Sequence, residues 1–207
     1  MPAPDPGHRL PTDTRDGLLL IISGPSGVGK TTVTRGVERS IPDAVFSVSA
    51  TTRQKTAADV EGVDYHFVSD EEFERMKAAG EFLETAGVYG KKYGTPRAWV
   101  EEQLRRGRVV ILEIDVQGAE QVKRAIPDAF GVCILPPSER ELHARLRNRR
   151  REDEAIIARR FAEAKREIEH ARACGVYDAF LVNSDLEATI REAVGLVNGE
   201  RARRRGA

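Results

Sequence analysis

The stretch GPSGVGKTT, Gly24 to Thr32, constrains this chain more than any other. Gly24, Gly29, Lys30 and Thr31 satisfy the Walker A spacing G-x-x-x-x-G-K-[ST]. Ahead of it lies LLLIIS, Leu18 to Ser23, a continuous apolar run with the composition of a strand buried on both faces. Behind it, Thr31 to Arg39 reads as the opening of a helix that continues to about Ser40. Strand, loop and helix in that order are the setting the motif requires. Glycines let the backbone curl until successive N–H groups point at phosphate oxygens, and the helix N-terminus adds partial positive charge. Lys30 then reaches the β- and γ-phosphates, and the Thr31 hydroxyl is placed to ligate magnesium.

The rest of the chain carries the same alternation. VVILEID and GVCILPP read as two more buried strands, with QGAEQVKRAI as the crossover helix between them. DAFLVN is a last short strand and LEATIREAVGLV a closing amphipathic helix. Buried strands alternating with helices give a parallel sheet covered on both faces. From about Ser49 to Gly94 the alternation breaks. VFSVSATTR and YHFV suggest short strands, QKTAADVEGVD an exposed loop, and DEEFERMKAAG a helix ended by Gly80, with Phe73, Met76 and Lys77 at helical spacing. Pro96 then opens a helix, AWVEEQLRRG, whose Trp99 and Leu104 are expected to face inward. Such a segment reads as a small mixed subdomain set over the C-terminal edge of the sheet, where open α/β sheets bind ligands.

Several function classes are excluded early. At 207 residues there is room for one well-buried domain. Lys plus Arg equals Asp plus Glu at 33 each, so no global field points to nucleic acid or a membrane surface. The two cysteines, Cys133 and Cys174, suit a reducing cytosol rather than a disulfide framework. No apolar run approaches the roughly 20 residues of a membrane span, and the first residues lack the basic-then-apolar pattern of a signal peptide. A cytoplasmic location is expected. MPAPDPGHRLPTDTRDG, residues 1–17, reads as a disordered lead-in, and ERARRRGA as a frayed helix end with residues 201–207 as a basic tail.

A Walker A loop says only nucleoside triphosphate; what receives the phosphate lies elsewhere. Ser49, Arg53, Tyr65, Glu84, Tyr93 and Thr95 fall near turns or strand ends of the irregular segment, where side chains converge on ligands. GPSGVGKTT, SVSATTR, GVDYHFVSDEEF, EFLE, YGTPR, LEIDVQGA and RLRNRR with a downstream Arg160 follow one another in register from about Leu18 to Val197. In this the chain resembles the bacterial guanylate kinases.

The resemblance implies a P-loop three-layer αβα fold with a parallel central sheet, an inserted small mixed α/β nucleotide-monophosphate-binding subdomain and a helical lid. Its bounds would be a single domain at 18–200, with core 18–48 and 95–197, insertion 49–94 and lid 138–160. It implies transfer of the γ-phosphate of ATP to GMP, and to dGMP, with magnesium and without nucleic acid or membrane as partner. The ATP site so implied is Gly24, Pro25, Ser26, Gly27, Val28, Gly29, Lys30, Thr31 and Thr32 with Asn183, whose other reading is a turn asparagine. Ser49, Glu84, Thr95 and Asp115 would face guanine, and Arg53, Tyr65 and Tyr93 would hold the acceptor phosphate. For Asp115, guanine contact and water-mediated contact with the metal held by Thr31 stay open, beside the plain reading of a carboxylate capping the next turn.

The chemistry agrees with that assignment. Guanine offers N1–H and the N2 amine as adjacent donors, and one carboxylate such as Glu84 accepts from both. Adenine lacks the amine and presents a lone pair at N1. Sites built on such bonds reject analogues lacking them by on the order of 10⁴–10⁵. Taken singly, Glu84 reads as a surface carboxylate, Tyr65 and Tyr93 as core or rim aromatics, and Arg53 as a surface cation.

The arginine-rich stretch from Arg140 to Arg151 has three readings: a solvated helix face, a nucleic-acid patch, or a lid over the triphosphate. Acidic EDE follows at once, which weighs against the second. Arg145 and Arg149, four apart, share a helix face, and Arg160 approaches from the next helix. By resemblance, Lys30, Arg145, Arg149 and Arg160 are the catalytic cations. The family pattern after Arg53 is close to R-x-x-R-x-G-E. Here Thr56 stands where the second arginine belongs, Ala58 and Asp59 replace Gly-Glu, and Arg150 replaces a lid glycine. One bidentate phosphate contact is thereby missing. Two other readings remain: a kinase of another phosphorylated acceptor such as a ribosyl bisphosphate, and a non-catalytic binding module on the same fold.

Overall fold

A computed structural model describes residues 17–88, 90–148 and 153–206. The expected disordered lead-in therefore falls, but for Gly17, outside the described residues. β1 (Leu18–Ser23) leads into the phosphate loop and α1 (Lys30–Ser40), and β2 (Ala44–Phe46) follows. The chain then leaves the first sheet for β3 (Ala50–Thr51), β4 (His66–Phe67), α2 (Asp70–Ala78), β5 (Phe82–Val88) and β6 (Lys91–Pro96). It returns through α3 (Arg97–Arg105), β7 (Val109–Glu113), α4 (Val116–Ala125) and β8 (Phe130–Leu135). α5 (Glu139–Asn148), α6 (Glu154–Ala173), β9 (Ala179–Val182) and α7 (Leu186–Arg205) complete it.

The first sheet has the order β2-β7-β1-β8-β9, all parallel. β1 lies at its centre, which is why LLLIIS is apolar throughout. Leu18, Leu20 and Ile22 pack on one face against Val33 and Val37 of α1 and Ala193 and Val197 of α7. Leu19 and Ile21 pack on the other against Val100 of α3 and Val122 of α4. Each buried aliphatic side chain stabilises this sandwich by about 1.5–3 kcal/mol. The chain runs from β1 to one side and later returns on the other, so the phosphate loop leaves β1 at the point where the strand order reverses. Ligand crevices form there.

The second sheet has the order β4-β3-β6-β5 and mixes parallel with antiparallel pairs. The expected strand VFSVSATTR divides into β2 in the first sheet and β3 in the second, so the two sheets part within it. On β5 the pairing shifts register between Phe82, opposite Pro96, and Thr85, opposite Gly94. This bulge breaks the alternation of a strand, and Phe82, Leu83 and Glu84 are all buried in succession. Phe82 stacks on Phe73 of α2, Leu83 enters the main core, and Glu84 is left facing the seam between the sheets.

Two expectations need correction. Trp99 does not face inward: it is 39% exposed, and α3 turns Val100 and Gln103 to the core, with Leu104 half-buried beside them. Nor do residues 201–205 fray. α7 continues through Arg205, and Arg201 is buried in a bidentate pair with Asp43 at 2.9 and 2.7 Å. Arg204 adds bonds to Glu200 and to the Asp128 carbonyl. An arginine run without apolar pattern hides this, because what docks it is an acid distant in sequence. Removing one partner of such a buried pair costs about 3–5 kcal/mol.

Candidate active site

The phosphate loop is a backbone cradle braced from behind. Gly24 adopts φ 143°, and a Cβ there would meet the Ile134 carbonyl oxygen at 2.2 Å, so glycine is required on both counts. Gly29, also left-handed, caps α1 without a side-chain bond, which leaves the first N–H groups of the helix facing the loop. Lys30 begins α1 and folds its ammonium onto the Gly24 and Pro25 carbonyls, the latter at 3.0 Å. Burial lowers its pKa, and the carboxylate of Glu113 leads the charges that oppose that shift. Asn183 is buried. It donates to the Val28 carbonyl at 2.8 Å and accepts from Thr189 at 3.3 Å, so it braces the loop. A cavity of about 390 Å³ opens beside it, lined by Gly27, Val28, Gly29, Thr32, Arg145, Asn183, Ser184 and Leu186.

A second groove, about 530 Å³, runs along the loop toward the end of β5. Gly24 to Gly27, Lys30 and Thr31 form one wall; Glu113, Asp115, Gln117, Glu163 and Glu167 form much of the other. Here the sequence reading missed a residue. Glu113 ends β7, and its Oε1 accepts from the Thr31 hydroxyl at 2.7 Å. Asp115 instead caps α4, its Oδ1 accepting from Gly118 N at 2.8 Å. In LEID the strand stops two residues earlier than the apolar pattern suggests, which puts Glu113, and not Asp115, at the strand end. Glu167, on α6, was also missed. Burial raises its pKa, opposed first by Lys30.

Glu84 sits across the bulge from Thr95 and accepts from its hydroxyl at 2.7 Å. It is only 4% exposed. Burial raises its pKa to about 7, against the lowering effect of the Thr95 bond and with Asp115 adding repulsion. Gly118 makes this possible. A Cβ there would lie 2.8 Å from Glu84 Oε2 and 3.4 Å from Asp115 Oδ1. Both carboxylates thus flank the first turn of α4, and Gln121 of the same helix ties to the Thr85 backbone through N and O.

The other residues expected at the acceptor gather on the second sheet and are not among those lining the groove. The Arg53 guanidinium lies 5.2 Å from the Tyr65 ring, and the Tyr65 and Tyr93 rings are 5.6 Å apart at 62°. Ser49 precedes β3, its carbonyl accepting from His66 N at 2.9 Å. Asp59 was not foreseen as a partner. It takes Arg53 bidentately at 2.9 and 2.8 Å and also accepts from Thr56 N at 2.7 Å and the Thr56 hydroxyl at 2.6 Å. These bonds, Arg53 first, hold its carboxyl far below the usual range. Thr56 therefore orients the acid that orients Arg53.

The lid arginines separate. Arg160 of α6 donates to the Ser26 hydroxyl at 2.9 Å, over the phosphate loop. Arg145 of α5 instead donates to the Asn183 carbonyl at 3.0 Å and the Val28 carbonyl at 3.4 Å, on the Asn183 side of the loop. Arg149, Arg150 and Arg151 lie outside the described residues.

Comparison with known proteins points to one family. The sequence model of the guanylate kinase family matches residues 17–198. A guanylate kinase of Anaeromyxobacter dehalogenans is 47% identical over 200 residues, which cover 96% of this chain and 85% of that one. A guanylate kinase of Symbiobacterium thermophilum is 47% identical over 187 residues, 90% and 87% of the two chains. The crystal structure of guanylate kinase from Anaplasma phagocytophilum superposes with a TM-score of 0.72 at 32% identity, covering 92% and 89%.

Proposed function

This chain belongs to the guanylate kinase family, and from that premise we propose how its residues divide the transfer of the γ-phosphate of ATP to GMP. The observation that carries the reading is the buried Glu84 carboxylate, held by Thr95 and beside Asp115, next to a braced phosphate loop. Glu84 accepts from guanine N1–H and the N2 amine; Ser49, Thr95 and Asp115 complete the base site. Arg53, steadied by Asp59, grips the acceptor phosphate with Tyr65 and Tyr93. The cavity beside Asn183 and Arg145 takes the adenine end of ATP. dGMP is accepted as well.

An oxygen of the GMP phosphate attacks the γ-phosphorus; that O–P bond forms as the bond to the β,γ-bridging oxygen breaks, giving GDP and ADP. The nucleophile is already anionic, so no general base is needed. Catalysis is positioning and charge neutralisation by loop N–H groups, Lys30, Arg149 and Arg160. The oxygen-rich wall opposite the loop suits a hard cation. Thr31 with Glu113, and Asp115 through water, would hold Mg²⁺, which when bound supplies charge neutralisation at the β- and γ-phosphates. Among the described residues no helix is long and apolar enough to cross a membrane, and we place the enzyme in the cytoplasm.

A coupled assay of ATP with GMP, dGMP, AMP, CMP and UMP tests the reading. Turnover confined to the two guanine nucleotides is expected; comparable turnover of AMP, or of none, contradicts it. Retention of Glu84 with Thr95 disfavours the ribosyl bisphosphate alternative. The Thr56 substitution predicts a second result. Thr56→Arg adds a guanidinium beside the acceptor phosphate while the Thr56 backbone bond to Asp59 survives. A contact to a charged group contributes about 1.5–3 kcal/mol. KM for GMP in steady-state kinetics should fall by about tenfold or more; an unchanged or raised KM counts against the arrangement.

A further inference from the structure

Away from the groove floor, α4 and α6 lie side by side and bring three ligand-type side chains together. Glu120 comes from α4, His170 from the last turn of α6, and Cys174, four residues on, is the residue that caps that helix. Their nearest ligand atoms all lie within 4.8 Å of one another, and His170 Nε2 is 2.8 Å from Glu120 Oε1. An exposed His–Glu pair alone is worth little. The thiol is what changes the chemistry: a thiolate, an imidazole and a carboxylate match a borderline-soft divalent metal and not magnesium or calcium.

The surroundings suit such an ion. His170 is exposed and Glu120 and Cys174 half-buried, so solvent reaches the site and can fill a fourth position. Behind them Val116, Leu135 and Ala171 form a buried apolar backing. Bonds of about 2.0–2.3 Å in a tetrahedron set ligand atoms roughly 3.3–3.8 Å apart, so side-chain movements of about 1 Å close the site.

We infer that Glu120, His170 and Cys174 form a tetrahedral site for zinc-class divalent metal, completed by water. On binding, the Cys174 thiol releases its proton to solvent and the ion replaces the hydrogen bond between His170 and Glu120. The ion cross-links α4, which Asp115 caps and whose first turn holds Gly118, to the end of α6, which carries Arg160 and Glu167.

The full chain, held in excess Mg²⁺ to occupy its hard-oxygen sites, is titrated with Zn²⁺ by calorimetry and with Co²⁺ by absorption. One equivalent is expected, with thiolate-to-cobalt charge transfer and the intense d–d bands of a tetrahedral centre. Zinc at a hundredfold excess over Kd should raise the melting temperature by about 5–10 °C. Cys174→Ser, which keeps buried Cys133, should lose the charge-transfer band, and His170→Ala should weaken zinc binding at least about tenfold. Melting curves without metal confirm that both variants fold; His170 is exposed, so its variant decides the matter should Cys174→Ser not fold. Absence of a thiolate band in the parent, or the same equivalent bound equally by a folded variant, overturns the site.

Discussion

Glu84→Gln should lower kcat/KM for GMP by roughly 10²–10⁴-fold while the protein keeps its fold. The carboxylate is buried against Thr95 and closely flanked by Asp115 and Gly118. In its proposed role it meets guanine already oriented, and two donors converge on it. A glutamine of the same shape accepts with one atom and presents its own N–H groups to the other donor. Truncating one partner of a buried charged hydrogen bond typically costs about 2–5 kcal/mol. The effect has a pH signature. Glu84 titrates near pH 7 in the free protein because burial disfavours its charge. Only the ionised form accepts from guanine, so kcat/KM for GMP should rise with pH through about 7 and level off above. The acceptor phosphate itself titrates near pH 6. That limb should persist in Glu84→Gln, and the limb near 7 should vanish. A variant within threefold of the parent, or with the same limb near 7, removes Glu84 from base recognition.

Lys30→Met should reduce kcat by about 10²–10³-fold and leave GMP binding nearly intact. The chain length is preserved, so packing at the start of α1 changes little. What is lost is the one ammonium held by the loop carbonyls at the mouth of the groove. In its proposed role Lys30 faces γ-phosphate charge that shifts during transfer, so the loss should fall on kcat more than on KM for ATP. Single-turnover measurement with saturating ATP separates the two. A kcat within threefold of the parent means that loop N–H groups and arginines suffice, and the proposed division of charge is wrong.

The P-loop, its strand and its helix were legible because local pattern and tertiary role coincide there: an all-apolar strand can only be central. The proposed base site rests on EFLE and YGTPR by resemblance alone, since nothing in the composition of EFLE announces a bulge that buries its last glutamate. Glu113 and Gly118 escaped because their roles depend on where β7 stops and how closely β5 meets α4, distances that no periodicity encodes. Asp59 escaped for a similar reason: a loop aspartate looks solvated until Arg53 and Thr56 are seen to share it. Trp99 misled because an aromatic at a helix start reads as core, whereas the register set by Pro96 turns it outward.

Glu84 is claimed to read two guanine donors at once, and inosine monophosphate, which keeps N1–H and lacks the N2 amine, isolates one of them. The decisive measurement is the ratio of kcat/KM for GMP to that for inosine monophosphate in the parent and in Glu84→Gln at one pH above 8. The parent should favour GMP by about 10–100-fold, the worth of one bond to a charged acceptor, and the variant should approach equality. A ratio that survives in Glu84→Gln would contradict the assignment and place recognition of the amine on another residue.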